Sequence, residues 1–276
     1  MGSWSMETRA WRITRRVLVL AALAFFLFPV YWLLATSLQA PKDVFTAPPK
    51  LVFQPTLDNF ASVWRDYDVA DYLRNSIVIA AGSTALSLVL GVPAAYALAR
   101  TGSPGLQRLA WFFLVVRMVP PIAMLLPLYL LMRDLRVLGT YQAVIVVNTV
   151  LNSAFVVWML RAVFAELPIE TEEAARCDGA SRWGTFWRVA LPLARPGIIA
   201  SALFCILFSW NDFLFALLLT SPATKTLPVA LLATFSSTDI VWGQLAVMSI
   251  ITVLPVVLAA IALNRKLVQG LTGGVH

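Results

Sequence analysis

Six long apolar stretches follow one another along the chain, separated by shorter polar segments. A helix needs about 20 apolar residues, at about 1.5 Å per residue, to cross the roughly 30 Å hydrocarbon core of a membrane. Each stretch meets this length, and we predict transmembrane helices near residues 17–37, 76–99, 109–132, 140–160, 197–220 and 241–263. The pattern predicts an all-α polytopic protein with six transmembrane helices in a single transmembrane domain over residues 1–276.

The composition agrees with lipid as the solvent. Apolar residues make up 60% of the chain and charged residues 13%, against about 25% charged residues in soluble domains. These values exclude a water-soluble enzyme. One histidine and two cysteines are too few for an HExxH zinc site, a Cys/His cluster or a disulfide framework, so no metal site is expected. The net charge of +7 comes without a basic stripe and interleaved aromatic residues, so no nucleic-acid partner is expected either.

The positive charges predict the orientation. If the N-terminus is cytoplasmic, the inner segments carry thirteen Lys and Arg residues and the outer segments seven. Cytoplasmic segments are enriched in these residues, so both termini are expected in the cytoplasm. The first apolar stretch has the basic flank of a signal peptide, but it is longer than the usual apolar region of about 7–15 residues and lacks a clear cleavage site.

The longest outer segment is the loop of residues 37–74. Four prolines make its first half extended, namely Pro41, Pro48, Pro49 and Pro55. Its second half, Leu57 to Tyr72, is aromatic-rich and amphipathic, which predicts a surface helix. An extracellular partner could dock there.

The longest inner segment, residues 161–195, is predicted to form two short helices. Pro168 begins the first, and the glutamates after it suit the positive end of the helix dipole. Gly179 allows the chain to turn, and Ser181 can cap the second helix.

The second helix has an apolar face with helical spacing, and Leu191-Pro192 is expected to end it. The predicted apolar face consists of Trp183, Phe186, Trp187 and Ala190, and the predicted opposite face of Arg182, Thr185 and Arg188. On these grounds alone the segment could be an amphipathic loop that lies on the membrane.

A resemblance favours another interpretation. The sequence Glu173-Ala174-Ala175, then Gly179, Val189 and Leu191-Pro192, resembles the EAA signature of bacterial binding-protein-dependent ABC importer permeases. Val189 stands where the family usually has isoleucine, a small apolar change. We call residues 161–195 the EAA loop.

The resemblance extends over nearly the whole chain and narrows to the carbohydrate-uptake branch of that family. The segments similar to this branch are LDNF (57–60), YLRNS (72–76), RMVPP (117–121), WNDF (210–213) and RKLVQGLTGGV (265–275), the last like the tail of the smaller, six-span permease of the maltose-transporter type. The resemblance implies a bacterial inner-membrane complex of two different permeases, two ATPase subunits and an extracellular solute-binding protein.

The chain itself is not expected to bind ATP. It has no GxxxxGK[ST] phosphate loop, and no glycine is followed by lysine. The resemblance implies that ATP and Mg²⁺ are bound by the partner ATPases and that the EAA loop transmits their motion to the membrane helices. The expected coupling residues are Glu173, Ala174, Ala175, Gly179, Leu191 and Pro192. The tail from Leu267 to Val275 is expected to reach the ATPase interface, or else to be a frayed end.

Asp212 is a charged residue inside the predicted fifth span. A carboxylate facing lipid is costly, so Asp212 is expected to face the interior of the helix bundle. Trp210 and Asn211 add an aromatic face and an amide, groups that stack on sugars and bind hydroxyls. The three residues therefore indicate a translocation path, or alternatively a polar cluster that fixes helix packing or a helix break.

Arg117 is the charged residue of the predicted third span and needs a partner there. Pro120 and Pro121 interrupt the helix and free carbonyl groups that the guanidinium could bind, which favours a structural or gating role over contact with substrate. Asn148 and Asn152 share a face of the fourth span, and hydrogen bonds between helices are favoured over ligand binding.

The sequence thus predicts a non-catalytic permease subunit that moves a sugar. A polyol or glycerophosphate-type solute remains the main alternative. A membrane enzyme is disfavoured because the chain has one histidine and no intramembrane pair of carboxylates. A self-sufficient secondary carrier is disfavoured because no inverted repeat is evident.

Overall fold

The structure is a computed structural model that describes residues 9–44, 53–101, 104–235 and 241–272. Within these ranges the regular elements are helices, with one isolated bridge between Gly139 and Thr220. The all-α polytopic fold predicted from the sequence is confirmed. Pro48 and Pro49 of the predicted extended loop lie outside the described residues, as do the last three residues of the predicted docking tail.

Four helices in the described part of the chain contain a segment long and apolar enough to cross a membrane. They are α1 (Arg9–Leu38), α4 (Val69–Arg100), α7 (Tyr141–Glu166) and α14 (Trp242–Thr272), with α2 (Pro41–Val44) and α3 (Asp58–Asp66) between the first two. They coincide with the first, second, fourth and sixth predicted spans. Each is uninterrupted because its long apolar run contains at most one internal proline.

The third and fifth predicted spans are each divided into two helices. Residues 104–134 form α5 (Pro104–Met118) and α6 (Pro121–Asp134). Residues 195–219 form α11 (Arg195–Trp210) and α12 (Leu214–Leu219). Each predicted run contains a local sequence that ends one helix and begins another, as expected at Pro120 and Pro121 and as left open at Asp212.

The EAA loop and the segment after α12 consist of short helices. The EAA loop contains α8 (Ile169–Cys177), α9 (Arg182–Thr185), a π-helical turn (Phe186–Ala190) and α10 (Leu191–Leu193). The segment after α12 contains α13 (Leu227–Ala230), with 3₁₀ turns at Pro222–Thr224 and Leu231–Thr234.

The described residues divide into two compact units. The first comprises residues up to 67 and residues 233–253, and so contains α1, α2, α3 and the first part of α14. In this unit Asn59 of α3 is buried and donates from Nδ2 to the carbonyls of Ser37 and Gln39, at 3.0 and 2.8 Å. The predicted surface helix is present but shorter than expected, because it ends at Asp66 and the residues from Val69 onward belong to α4.

The second unit comprises residues 68–232 and residues from 254 onward. Its centre is the pair α4 and α7, which pack closely because small residues face one another. A Cβ atom on Gly91 would lie 2.6 Å from Cγ1 of Val156, and buried Ser83, Ser87 and Thr149 lie in the same contact. Small residues at helix contacts are typical of membrane proteins, where close backbone approach provides the packing energy.

The YLRNS segment fastens the connection after α12 to the start of α4. Asn75 donates from Nδ2 to the carbonyls of Ala223 and Lys225, at 3.1 and 2.9 Å. Ser76 accepts from the backbone N–H of Leu227 at 2.9 Å. These bonds satisfy backbone groups that the short helices leave without intrahelical partners.

Candidate functional site

A cleft of about 460 Å³ opens in the second unit where the two divided spans meet. It lies at the break between α5 and α6 and at the break between α11 and α12. The polar residues that line it are Arg117, Asn148, Asn152, Asn211 and Asp212. Five of the six residues predicted for the translocation path are therefore brought together.

Prolines cause the first break. Pro120 precedes α6 with φ −56° and ψ 127°, and Pro121 occupies the first turn of that helix. A proline ring excludes the helical conformation at the preceding residue and removes a backbone N–H, so α5 ends at Met118. This interruption confirms the one predicted from RMVPP.

Polar side chains form the second break. Asn211 donates from Nδ2 to the carbonyl of Leu207 at 2.8 Å, which occupies one of the last carbonyls of α11. Asp212 accepts the backbone N–H of Phe215 at Oδ1, at 3.2 Å, and so caps the first turn of α12. Asp212 thus takes part in a helix break, which is one of the two roles that the sequence left open for this residue.

Two polar atoms at the cleft lack a well-formed hydrogen bond. Oδ2 of Asp212 and Nδ2 of Asn148 are both buried and make no hydrogen bond of good geometry among the described residues, although the two side chains interact with each other. One is an acceptor and the other a donor. A hydroxyl group can satisfy both kinds of atom, because it donates one hydrogen bond and accepts others.

Arg117 is held at the edge of the cleft by α7 and α11. Its Nη1 donates to the carbonyl of Leu151 at 3.3 Å. The guanidinium carbon lies 5.2 Å from the ring centre of Phe155 and 4.8 Å from that of Phe208, within the range of cation–π attraction. The carbonyl partner therefore comes from α7, and not from the carbonyls that Pro120 and Pro121 were expected to free.

Asn152 and Trp210 differ from the other path candidates. Asn152 donates from Nδ2 to Oγ of Ser209 at 2.8 Å, which confirms the expected hydrogen bond between helices. Trp210 is buried and does not line the cleft. The last turn of α11 directs Phe208 and not Trp210 to this cleft, and the role of Trp210 as the aromatic face of the path stays a prediction. The helical position of Phe208, four residues before Asp212, could have indicated this.

The EAA loop presents its signature at the surface. Glu173 and Ala174 of α8 are exposed, and Ala175 is half-buried. Gly179 adopts φ +91°, a left-handed conformation that favours glycine. The N–H of Ala180 then reaches the carbonyl of Ala175 at 3.0 Å and closes the end of α8, as expected for a turn at Gly179.

The second half of the EAA loop agrees with its prediction at Ser181 and differs from it in three respects. Ser181 caps α9 by accepting the N–H of Gly184 at 3.1 Å, as expected. However, Trp183 and Trp187 are 66% and 58% exposed and Thr185 is buried, whereas Phe186 and Ala190 of the π-helical turn are buried as expected of the apolar face. The helix also continues through Leu191-Pro192 to Leu193 and then bends by 75° into α11.

Glu172 is a residue of the EAA loop that the sequence alone does not distinguish from the other glutamates of α8. Glu172 is buried, whereas Glu170 and Glu173 are exposed. It contacts Tyr96 and Arg100 of α4. The pairing of this carboxylate depends on how α8 packs against α4, for which the sequence carries no local signal.

Comparison with known proteins relates this architecture to transport. Residues 87–273 match the family of binding-protein-dependent transport system inner membrane components. The chain is 37% identical to the probable ABC transporter permease protein y4oR of Sinorhizobium fredii, over 95% of this chain and 96% of that protein. It is 34% identical to the trehalose transport system permease protein SugB of Mycobacterium tuberculosis, over 90% and 91%. It is also 33% identical to the trehalose/maltose transport system permease protein MalG of Thermococcus litoralis, over 90% of each chain.

A solved structure supports the fold. A chain of a bacterial ABC transporter involved in the import of the acidic polysaccharide alginate matches with a TM-score of 0.80, covering 96% of this chain and 99% of that one. Its sequence identity is 21%, so the likeness concerns the fold alone.

Proposed function

The chain belongs to the family of binding-protein-dependent transport system inner membrane components, and we propose that it is a permease subunit of an ATP-driven importer whose polar cleft takes part in moving a sugar across the membrane. The permeases named for trehalose, maltose, diacetylchitobiose and sulfoquinovosyl glycerol among its relatives support a carbohydrate solute.

The cleft at the two helix breaks is the observation that carries this proposal. Membrane helices that are interrupted near a cavity provide backbone and side-chain groups that are not used within the helix, and such sites bind solutes in transporters. Here Asp212 and Asn148 supply a neighbouring acceptor and donor without a well-formed hydrogen bond, and Phe208 supplies an apolar surface. This combination suits a molecule with several hydroxyl groups and apolar C–H faces.

The proposed complex contains a second permease, two ATPase subunits and an extracellular solute-binding protein. ATP and Mg²⁺ would be bound by the ATPases, so this chain would have no catalytic role of its own. Both termini and the EAA loop would face the cytoplasm, where Glu173, Ala174, Ala175 and Gly179 would contact an ATPase and Leu191-Pro192 would join the loop to α11.

Transport would proceed by alternating access. Closure of the ATPases on ATP would displace the EAA loop, and the displaced loop would move α4, α7 and α11 between arrangements open to either side. The breaks at Pro120 and Asp212 would let the outer half-helices α6 and α12 change direction without unfolding the inner halves. The solute would contact the cleft in only one of these arrangements.

Purification and transport measurements test this function. Tagged chain purified from its native membrane should co-isolate an ATPase and a second permease identified by mass spectrometry. The complex in proteoliposomes should take up trehalose or maltose only with its binding protein outside and ATP inside. Uptake by the purified chain alone, driven by an ion gradient, would instead support a secondary carrier.

The positive charge at the edge of the cleft favours one alternative solute class, an anionic solute. Arg117 is exposed there and could attract an anionic solute such as a glycerophosphate. The same proteoliposomes should therefore be offered glycerol 3-phosphate and a polyol beside the disaccharides. Preference for glycerol 3-phosphate that disappears in Arg117→Gln would favour the alternative over a neutral sugar.

A further inference from the structure

A buried ion pair joins the EAA loop to the end of α4. Arg100, the last residue of α4, donates from Nε and Nη2 to Oε1 of Glu172, at 2.9 and 2.7 Å. Its Nη2 also donates to the carbonyl of Leu167 at 3.3 Å. The side chains of Arg100 and Glu172 are only 13% and 1% exposed. The pair is thus shielded from water and salt, unlike an ordinary surface ion pair.

Tyr96, one helical turn before Arg100, extends this contact to the rest of the loop. Its hydroxyl donates to Oε2 of Glu172 at 2.7 Å. Its ring centre lies 5.4 Å from that of Phe164 at the end of α7 and 5.0 Å from that of Phe186 in the π-helical turn. One turn of α4 therefore contacts both halves of the EAA loop, through Glu172 in the first half and Phe186 in the second.

We propose that Arg100 and Tyr96 are positioning residues that bind the EAA loop rigidly to α4, so that a displacement of the loop by the ATPase moves α4 with it. This inference rests on the proposed function. It assigns different roles to two adjacent carboxylates: Glu173 faces the surface, where a partner can reach it, and Glu172 faces inward and anchors the loop.

The physical reason is the cost of separating the pair. Without Arg100 the buried carboxylate would keep only Arg176 of its own helix, whose Nη2 lies 3.6 Å from Oε2 and whose side chain is 43% exposed, so Glu172 resists any movement of α8 away from Arg100. The bidentate geometry adds a fixed direction that a lysine, with a single ammonium group, does not provide. The aromatic contacts of Tyr96 prevent α9 and the π-helical turn from sliding past α4.

The chain carries a natural reporter for this rigidity. Cys177, the last residue of α8, is exposed, whereas Cys205 is buried. A thiol-reactive spin label should attach selectively to Cys177, and the width of its spectrum would report the mobility of the first half of the EAA loop.

The test compares Glu172→Gln, Tyr96→Phe and Arg100→Gln in the purified complex, with Glu170→Gln as the matched control. The control removes a carboxylate from an exposed position of the same helix. We expect the first three variants to increase label mobility and to lower the ratio of solute-stimulated to basal ATP turnover, by about two- to thirtyfold. Glu170→Gln should change neither quantity.

Conservative variants keep the test decisive if Arg100→Gln assembles poorly. Arg100→Lys retains the charge but loses the bidentate geometry, and it should give intermediate mobility and intermediate stimulation. Tyr96→Phe removes one hydrogen bond and leaves the ion pair in place. Unchanged label mobility and unchanged stimulation in Tyr96→Phe, Arg100→Lys and Glu172→Gln, all assembled in normal amounts, would overturn the proposal.

The two proposals can fail separately. Absence of a co-purifying ATPase would refute the proposed function, while the label at Cys177 of the full chain would still report whether Glu172 restrains α8. Conversely, a wild-type complex with solute-stimulated ATP turnover, combined with anchor variants that keep wild-type stimulation, would preserve the function and reject the anchor.

Discussion

Asn152 of α7 donates from Nδ2 to Oγ of Ser209 in α11, at 2.8 Å, and the same hydroxyl accepts from Oγ of Ser83 in α4, also at 2.8 Å. A single serine thus connects three membrane helices in the second unit. All three residues are buried, so none of these groups can use water as a substitute partner. Such bonds between membrane helices contribute about 0.6 kcal/mol on average and up to about 1.7 kcal/mol.

Ser209→Ala should therefore lower stability, because it removes the hydroxyl that joins Asn152 and Ser83 and leaves them the backbone carbonyls of Cys205 and Ile79 as acceptors. We expect a loss of about 1–2 kcal/mol, seen as a lower midpoint of thermal unfolding in detergent. Ser249→Ala is the matched control, since Ser249 bonds the carbonyl of Leu245 in its own helix, at 2.8 Å. Equal midpoints for the two variants would contradict a role for Ser209 in joining the helices.

Gly91 and Gly82 of α4 both face α7 but differ in what an added methyl group would meet. At Gly91 it would lie 2.9 Å from Cβ of Val156, a rigid part of the side chain, whereas at Gly82 it would lie 2.9 Å from Cδ1 of Ile145, which can rotate away. Gly91→Ala should cost about 1–3 kcal/mol through overpacking. Gly82→Ala should be neutral or stabilising, because alanine favours helix by up to about 1 kcal/mol.

Thermal unfolding of the two glycine variants checks this difference. The double variant Gly91→Ala with Val156→Ala should recover part of the stability lost in Gly91→Ala, because it restores room at the contact. A failure to recover would mean that the loss comes from some source other than the contact between α4 and α7.

The long elements could be predicted from the sequence because membrane burial depends on run length. The helices α1, α4, α7 and α14 coincide with apolar runs of about 20 residues or more, as the thickness of the bilayer requires. The break at Pro120 was predictable because two consecutive prolines remove two backbone N–H groups, whereas the single prolines inside α1, α4 and α14 leave those helices continuous. The break at Asp212 was harder to predict from the sequence, because an aspartate marks a helix break only when its side chain caps the next helix.

Other features depend on tertiary packing and could not be read from the sequence. Glu172 and Glu173 are chemically identical neighbours, and only the position of α4 decides which of them is buried. Trp187 has the spacing of a buried face, but it lies in the π-helical turn that follows Thr185 and is exposed. Periodicity assumes a regular helix, so it fails where one extra residue enters a turn.

Gly179 allows a prediction about backbone strain without steric conflict. An added Cβ would meet no atom within 4 Å, but φ is +91°. Gly179→Leu should therefore weaken the turn through its backbone and reduce solute-stimulated ATP turnover of the complex. Gly179→Asn should be milder, because asparagine adopts left-handed conformations more readily than leucine. If leucine and asparagine had equal effects, or if Gly179→Leu kept full stimulation, the turn would not be needed for coupling.

The orientation of the EAA loop can be tested at a natural cysteine. If the loop is cytoplasmic, a membrane-impermeant maleimide should label Cys177 in inside-out vesicles and not in right-side-out vesicles. Cys177→Ser should abolish the signal, because Cys205 is buried. Labelling of Cys177 only from the outer side would reverse the predicted topology.

Asp212 distinguishes a solute path from a packing device, because its two oxygens have different roles. Oδ1 caps α12, and Oδ2 makes no hydrogen bond of good geometry among the residues that the structure describes. Asp212→Asn keeps an oxygen for the cap and removes the charge, whereas Asp212→Leu removes both. If Oδ2 accepts a solute hydroxyl, Asp212→Asn should lower uptake by about tenfold or more with normal assembly, since a hydrogen bond to a charged group contributes about 1.5–3 kcal/mol. Asp212→Leu should in addition lose about 1 kcal/mol of stability with the cap.

Asp134→Asn removes an exposed carboxylate and serves as the control for the two Asp212 variants. In a Cys177→Ser background, cysteine at position 212 should react with a small water-soluble thiol reagent in one nucleotide state and be protected in another. Constant protection, with wild-type uptake in Asp212→Asn and reduced assembly in Asp212→Leu, would show that Asp212 only ends the helix, and the solute contacts would then belong to the second permease.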